Sequence, residues 1–280
     1  WRTANTTSMQ DTFVEENGYK LIFDDAQQKQ ENQITAIRNF IQQEVDYIVL
    51  APTTETGWDT VLQEASDAGI PVIIVDRMID VSDDSLYTCW VGSDFRKEGD
   101  TAVAWMEATF ADADALNIVH LQGTIGSSAQ IGRTAGLDAG VEANEGWTLV
   151  SQQTGEFTQA KGQEVMESLL KQSSDIDVVY CENDNMAFGA VDAIKAAGMT
   201  AGVDGDIAII SFDATNAGLT MTLGGEINYN VECNPMHGPR VAAIIQQLEA
   251  GETPEKLAYV EEEAFDATTI TQEMIDARAY

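Results

Sequence analysis

The chain of 280 residues is 44% hydrophobic and 22% charged, the make-up of a folded globular protein with room for a large core in one or two domains. Its 47 acids against 14 lysines and arginines leave a formal charge of −33, which repels phosphate backbones and argues against nucleic acid as a partner. No apolar run approaches the roughly 18 residues that read as a membrane span.

A helix is expected over 1–16, with Ala4, Met9 and Phe13 inward and Asn17-Gly18 ending it. A strand follows over 19–23, a helix over 30–44, a strand over 47–50 and a helix over 58–68. The run 71–75, PVIIV, is apolar without alternation, as in a parallel strand covered on both faces. A short edge strand over 86–91 and a helix over 96–110 complete a first series. The same grammar then restarts: strands over 116–121, 148–153, 178–181, 207–212 and 227–231, with helices over 131–144, 160–171, 186–197 and 217–223. A helix over 238–250, a strand over 257–262 and a helix from 271 close the chain. More than ten strands exceed one twisted open sheet, so two α/β lobes are expected, with crossings near 102–106 and 233–236.

In open parallel sheets, ligands bind beyond the carboxyl ends of the strands. Strand 71–75 runs into Asp76 and Arg77, strand 207–212 into Asp213, and strand 178–181 into Glu182, Asn183 and Asp184. Any one of these acids alone reads as a helix cap or turn former; several strand-end clusters together point to a shared polar cleft.

Nucleotide and catalytic signatures are absent: no GxxxxGK[ST], no GxGxxG after a strand and no GxSxG. Of the two histidines, His120 lies inside an expected strand and reads as a packed core residue. The acid pairs Asp112/Asp114 and Asp204/Asp206 lack the other ligands of a calcium loop and read as surface loops. Cys89, Cys181 and Cys233 have no zinc-type spacing; buried small residues are expected, with a Cys181–Cys233 bridge as the alternative. No catalytic residue, cofactor or metal is assigned.

What remains suits a polyol, whose hydroxyls both donate and accept. Asp accepts from two hydroxyls, Arg donates in a fixed fork and Asn does both. Asp76, Arg77, Asn183, Asp213 and Glu232 supply such a set, and Arg133 (in QIGRTAGL) and Phe157 (after TGE) also fall just past expected strands. Structural ion pairing is the alternative role for each arginine.

Six stretches carry a resemblance: 27–34 (QQKQENQI), 51–58 (APTTETGW), 71–80 (PVIIVDRMID), 121–133 (LQGTIGSSAQIGR), 155–168 (GEFTQAKGQEVMES) and 231–235 (VECNP). Together they resemble the periplasmic sugar-binding proteins of ABC transporters, of the type I, ribose-binding-like class, and within it the galactofuranose-binding subgroup. The resemblance implies an α/β fold of two doubly wound parallel-sheet lobes joined by a three-strand hinge. The lobes expected are 1–104 with 235–263, and 105–234 with 264–280.

It also implies roles. Asp76 and Arg77 match the pair that holds ring hydroxyls, Arg133 the arginine after the second lobe's first strand, and Phe157 the stacking aromatic. Asn183 and Asp213 match polar contacts, and Glu232 stands in the place of a hinge-proximal glutamine. Trp1 and Arg2 match the Trp-Arg dipeptide of the galactofuranose subgroup, Asp94 is a candidate at the cleft mouth, and Trp58 has core packing as its alternative. The function implied is a non-enzymatic solute-binding protein that closes on a monosaccharide, galactofuranose first and ribose or another aldose or polyol next. It would deliver this sugar to a membrane permease as a monomer, without cofactor. The implied location is extracytoplasmic, in a periplasm or as a lipoprotein of a single-membrane bacterium. Family members begin with a strand and a polar loop ahead of the Trp-Arg, so the first strand of the first lobe and the export signal are expected upstream of Trp1. Two other readings stand beside this one: the effector domain of a lac-repressor-type regulator, and a glycoside-processing enzyme with paired carboxylates.

Overall fold

The apolar run at 71–75 becomes a strand, Val72–Val75, with every residue buried. In the computed structural model, which describes residues 1–173 and 175–280, it lies inside the first of two units. The first unit comprises Trp1–Ser93, Gly126–Ser128 and Asn234–Glu261; the second comprises Asp94–Ile125, Ala129–Cys233 and Glu262–Tyr280. Strands and α-helices are numbered below in chain order.

The sheet of the first unit runs in the order β1 (Ile48–Leu50), β2 (Val72–Val75), β3 (Cys89–Gly92) and β9 (Leu257–Tyr259), every pair parallel. Its two faces explain why β2 shows no polar alternation. Val72 and Ile74 pack into one cluster with Trp58, Leu62 and Ile37, from α3 (Asp59–Asp67), its N-cap and α2 (Gln30–Gln42). Ile73 and Val75 pack on the other side with Phe13, which follows α1 (Arg2–Thr12), and with Val241 and Ile245 of α9 (Gly238–Glu249). Burying both faces is the main stabilising term, at about 25 cal/mol per Å² of apolar surface removed from water.

The sheet of the second unit has six strands: β10 (Ala264–Asp266), β8 (Tyr229–Glu232), β7 (Ala208–Asp213), β6 (Val178–Cys181), β4 (Leu116–Gln122) and β5 (Trp147–Thr154), in that order. Only β10 runs antiparallel to its neighbour. Val119, Val179 and Ile209 face α6 (Gln159–Gln172) and α7 (Asp184–Ala196), while Ile118, Val178 and Ile210 face α4 (Phe95–Thr109) and α5 (Ser128–Ala143). The helices α8 (Asn216–Leu223) and α10 (Gln272–Asp276) complete this unit.

The structure corrects several expectations. Residues 19–23 form no strand: among the described residues none pairs with them, and a strand without a neighbour leaves its backbone groups unsatisfied. Leu21, Ile22 and Phe23 there are 39%, 36% and 49% exposed. The expected edge strand at 86–91 is the fully buried interior strand β3, because residues 257–259 pair with its outer side. The single strand expected at 257–262 ends at Tyr259, and β10, not anticipated, pairs with β8 of the other unit's sheet. In α1 the fully buried positions are Asn5 and Ser8; Met9 and Phe13 pack inward against the first unit's core as expected, and Ala4 is only partly buried.

The boundaries also differ from the expected 104/105, 234/235 and 263/264. The chain passes between the units at Ser93/Asp94, Cys233/Asn234 and Glu261/Glu262, with three residues, Gly126–Ser128, assigned to the first unit. All of α4 therefore belongs to the second unit, rather than being cut near 102–106. The reason is a close helix contact: a Cβ placed on Gly136 of α5 would lie 2.7 Å from the Cα of Gly99 in α4. Only two glycines allow that approach.

Candidate functional site

In the first unit the site forms where β2 ends. Asp76 follows it with φ +65°, a left-handed backbone that costs a non-glycine residue on the order of 1–3 kcal/mol. Its backbone N–H donates to the Val91 carbonyl at 3.0 Å, and the Trp90 indole Nε1–H donates to its own carbonyl at 3.0 Å. Gly92 completes the cradle, since a Cβ there would stand 2.3 Å from the Asp76 carbonyl oxygen. The surrounding strands thus impose the conformation and aim the carboxylate.

Two arginines meet that carboxylate. Arg2 Nη2 donates to Asp76 Oδ2 at 2.8 Å, and Arg77 Nε lies 4.0 Å from the same oxygen. Arg77 is itself anchored, with Nη1 donating to the Thr53 carbonyl at 2.9 Å. The Arg2 guanidinium lies 4.7 Å over the Trp1 ring, and Trp1 meets His237 edge-on with ring centroids 6.0 Å apart. Burial opposes ionisation of Asp76, but Arg2, Arg77 and His237 outweigh it and hold the carboxyl below its ordinary value. Trp1, Arg2, Asp76 and Arg77, expected together, are together.

Sequence reasoning missed His237, at the N-cap of α9. Its Nδ1 lies 3.0 Å from Asn5 Nδ2, whose amide also donates to the Pro235 carbonyl at 2.8 Å. With Asn5 donating, the ring proton sits on Nε2, which is buried without a hydrogen-bond partner. Burial pulls His237 down to about 4, Asp76 resisting and Arg2 and Arg240 adding to the fall. The Thr53 hydroxyl is likewise buried with no hydrogen-bond partner.

The second unit builds its set around Arg133, only 2% exposed. Its Nε donates to Glu98 Oε2 at 2.6 Å and its Nη1 to the Glu182 carbonyl at 2.5 Å, while Nη2 lies 3.7 Å from Asp213 Oδ1. Phe212 and Phe95 flank the guanidinium, 4.9 and 5.4 Å from their ring centroids. Desolvation works against its charge, but Glu98, Cys233 and Asp213 outweigh it, so Arg133 stays cationic. Asp213, the last residue of β7, has φ +99°, the second strand-end aspartate in a left-handed conformation. Asn183 caps α7 by accepting from the Met186 N–H at 2.9 Å, and its amide donates to the Phe157 carbonyl at 3.2 Å. The half-buried Phe157 ring covers Gly123, where a Cβ would lie 1.9 Å from Cζ. Arg133, Asp213, Asn183 and Phe157 are thus linked through the ends of β6 and β7 and the start of α7.

Two candidates have local duties. Asp94 is the N-cap of α4, accepting from the Lys97 N–H at 3.0 Å. The Glu232 carboxylate accepts from Arg278 Nη1 at 2.5 Å, from the Tyr280 hydroxyl at 2.6 Å and from the Glu263 N–H at 2.9 Å. No signal near Glu232 announces these partners, which lie 31 to 48 residues away along the chain. Asp184 is structural: it accepts from Ser211, Thr215 and Asn230. Trp58 is a core residue, fully buried with its indole donating to the Thr54 carbonyl at 2.7 Å. His120 is fully buried against Glu182, as a packed histidine should be. The three cysteines are buried, and no disulfide joins Cys181 to Cys233.

Residues 1–253 match the periplasmic binding protein domain family, and the chain belongs to it. Among the proteins it resembles is the galactofuranose-binding protein of Escherichia coli (strain K12), 39% identical over 98% of this chain and 86% of that protein. A crystal structure from Mycobacterium smegmatis in complex with β-D-fucofuranose superposes with a TM-score of 0.92 at 44% identity, covering 99% of this chain and 89% of the other. The binding protein of the arabinose ABC transporter from Shewanella sp. ANA-3, bound to α- and β-L-arabinofuranose, gives 0.90 at 42% identity, covering 96% and 88%.

Proposed function

We propose that this protein is the extracytoplasmic solute-binding component of an ABC importer. It captures a free monosaccharide in the five-membered ring form, galactofuranose first, by hinge closure, and delivers it to a membrane permease. It is a binding protein, not an enzyme. One observation carries the reading: each unit ends a core strand in a buried aspartate held in a strained left-handed conformation beside arginine, Asp76 with Arg2 and Arg77, Asp213 with Arg133. Strain held in place by the fold marks functional positions, and an Asp–Arg pair offers acceptors and fixed donors to vicinal hydroxyls.

The ligand set proposed is Trp1, Arg2, Asp76, Arg77, Arg133, Phe157, Asn183 and Asp213, with Asp94 and Glu232 acting at its margins. The furanose preference rests on the three relatives above, each named for or bound to a furanose. A monomer working without nucleic acid, in a periplasm or tethered by lipid at a cell surface, completes the proposal. The test is calorimetry and thermal shift with free galactofuranose, arabinose, fucose and ribose, and with methyl pyranosides locked in the six-membered ring. A micromolar or tighter furanose, with Tm rising as mass action requires, supports the reading. Equal binding of the locked pyranosides overturns the ring preference, and silence toward every free sugar overturns the function.

A further inference from the structure

Apart from the strand-end set, the second unit holds a cluster with cation-binding chemistry. Glu98, Cys233 and Glu262 each bring one ligand atom, a carboxylate oxygen or Sγ, and these atoms all lie within 4.8 Å of one another. The three come from distant parts of the chain. Glu98 is one turn into α4, just past the Ser93/Asp94 crossing; Cys233 is the last residue before the second crossing, and Glu262 the first after the third. Each entry or exit of the second unit thus contributes one ligand.

Glu98 points to a ligand independently of the clustering. It is 3% exposed; Oε2 is engaged by Arg133 at 2.6 Å, while the buried Oε1 has no hydrogen-bond partner. Arg133 is then the outer-shell group that orients a ligating carboxylate and leaves its second oxygen without a hydrogen-bond partner. The local charge is also unbalanced. Arg133 is one positive group facing Glu98 and Asp213, with Cys233 and Glu262 beside them.

We propose that Glu98, Cys233 and Glu262 form a binding site for a borderline-soft divalent cation, Zn2+ foremost. One sulfur with two oxygens favours zinc over magnesium or calcium, which take oxygen alone. Tetrahedral ligands at about 2.0–2.3 Å from zinc stand roughly 3.3–3.6 Å apart, so binding draws the widest pair together by up to about 1.5 Å. Three protein ligands leave a fourth position for water, and half-buried Glu262 provides the way in. The site shares Arg133 with the proposed sugar-binding set but needs no sugar, and its test uses none.

The experiment titrates the whole chain, stripped with chelator, with Zn2+ against a chromophoric competitor and with Cd2+ while following the thiolate-to-cadmium ultraviolet band. The parent should bind one equivalent and develop the band. Cys233→Ser should abolish the band and weaken Zn2+ binding by more than about 100-fold, beyond the 10–100-fold typical of losing an outer-shell group. Glu262→Gln, at a half-buried position that keeps the fold, should also weaken it, while Cys89→Ala should not. Binding without a thiolate band, or binding retained in both Cys233→Ser and Glu262→Gln, assigns the cation to surface carboxylates and overturns the site. No binding at all overturns it too.

Discussion

Arg2 donates to Asp76 at 2.8 Å, from a guanidinium still 48% exposed to an acid whose side chain is 5% exposed. Arg77, the chain neighbour of Asp76, is farther from it at 4.0 Å and spends a donor on the Thr53 carbonyl. The residue next in sequence is thus the supporting partner, and the one 74 positions away is the closer.

Arg2→Ala should therefore weaken sugar binding, by less than the roughly 2–5 kcal/mol of a fully buried charge pair because water screens the half-exposed guanidinium. Because Arg2 is half-exposed, Tm without sugar should change little. Calorimetry beside thermal unfolding separates the two effects; unchanged affinity would remove Arg2 from the ligand set.

Phe157→Ala should raise the Kd roughly two- to tenfold, in line with about 0.5–1.5 kcal/mol for an aromatic contact beyond its area. Gly123→Ala makes the same point without touching the ring's chemistry, since its Cβ would occupy the place of Phe157 Cζ and push the ring aside. Both variants should fold. Loss of fold in Phe157→Ala would mark the ring as core.

His237 sets a pH dependence. Its folded value is lowered to about 4 from 6.5 by burial, so between these limits the unfolded chain takes up a proton that the folded chain refuses. This contribution is fully present above about pH 6.5 and is lost as pH falls toward about 4, amounting to about 3 kcal/mol at roughly 1.4 kcal/mol per pH unit. Asp76, held low, adds stability above its unfolded value of about 3.9 and loses it only as pH falls through the lower folded value. Denaturant midpoints from pH 4 to 7 should rise with pH in the parent and flatten in His237→Gln.

Arg278→Ala should destabilise the chain by about 3–5 kcal/mol, because it leaves Glu232, 4% exposed, as a buried charge with one fewer partner. Arg278→Ala combined with Glu232→Gln should recover part of that loss. Denaturant unfolding of the single and double variants measures it; a double variant no better than the single would deny the coupling.

The order of strands and helices was legible in the sequence because buried parallel strands are apolar without a break and the helices between them carry their own stops. The polar ends of those strands were legible as well: Asp76, Arg77, Asn183 and Asp213 stand next to runs whose burial is evident from composition alone. Whether a strand forms also depends on its neighbours, which is why 19–23 failed and β3 lies inside the sheet. Helix contacts through Gly99 and Gly136, not chain position, set the unit boundary ahead of α4. The partners of the acids were decided by tertiary structure alone: Arg2 for Asp76, Arg278 and Tyr280 for Glu232, and Cys233 with Glu262 beside Glu98. Residue type determines what a side chain can bind, but only folding brings distant residues within the few ångströms over which a hydrogen bond or ion pair acts.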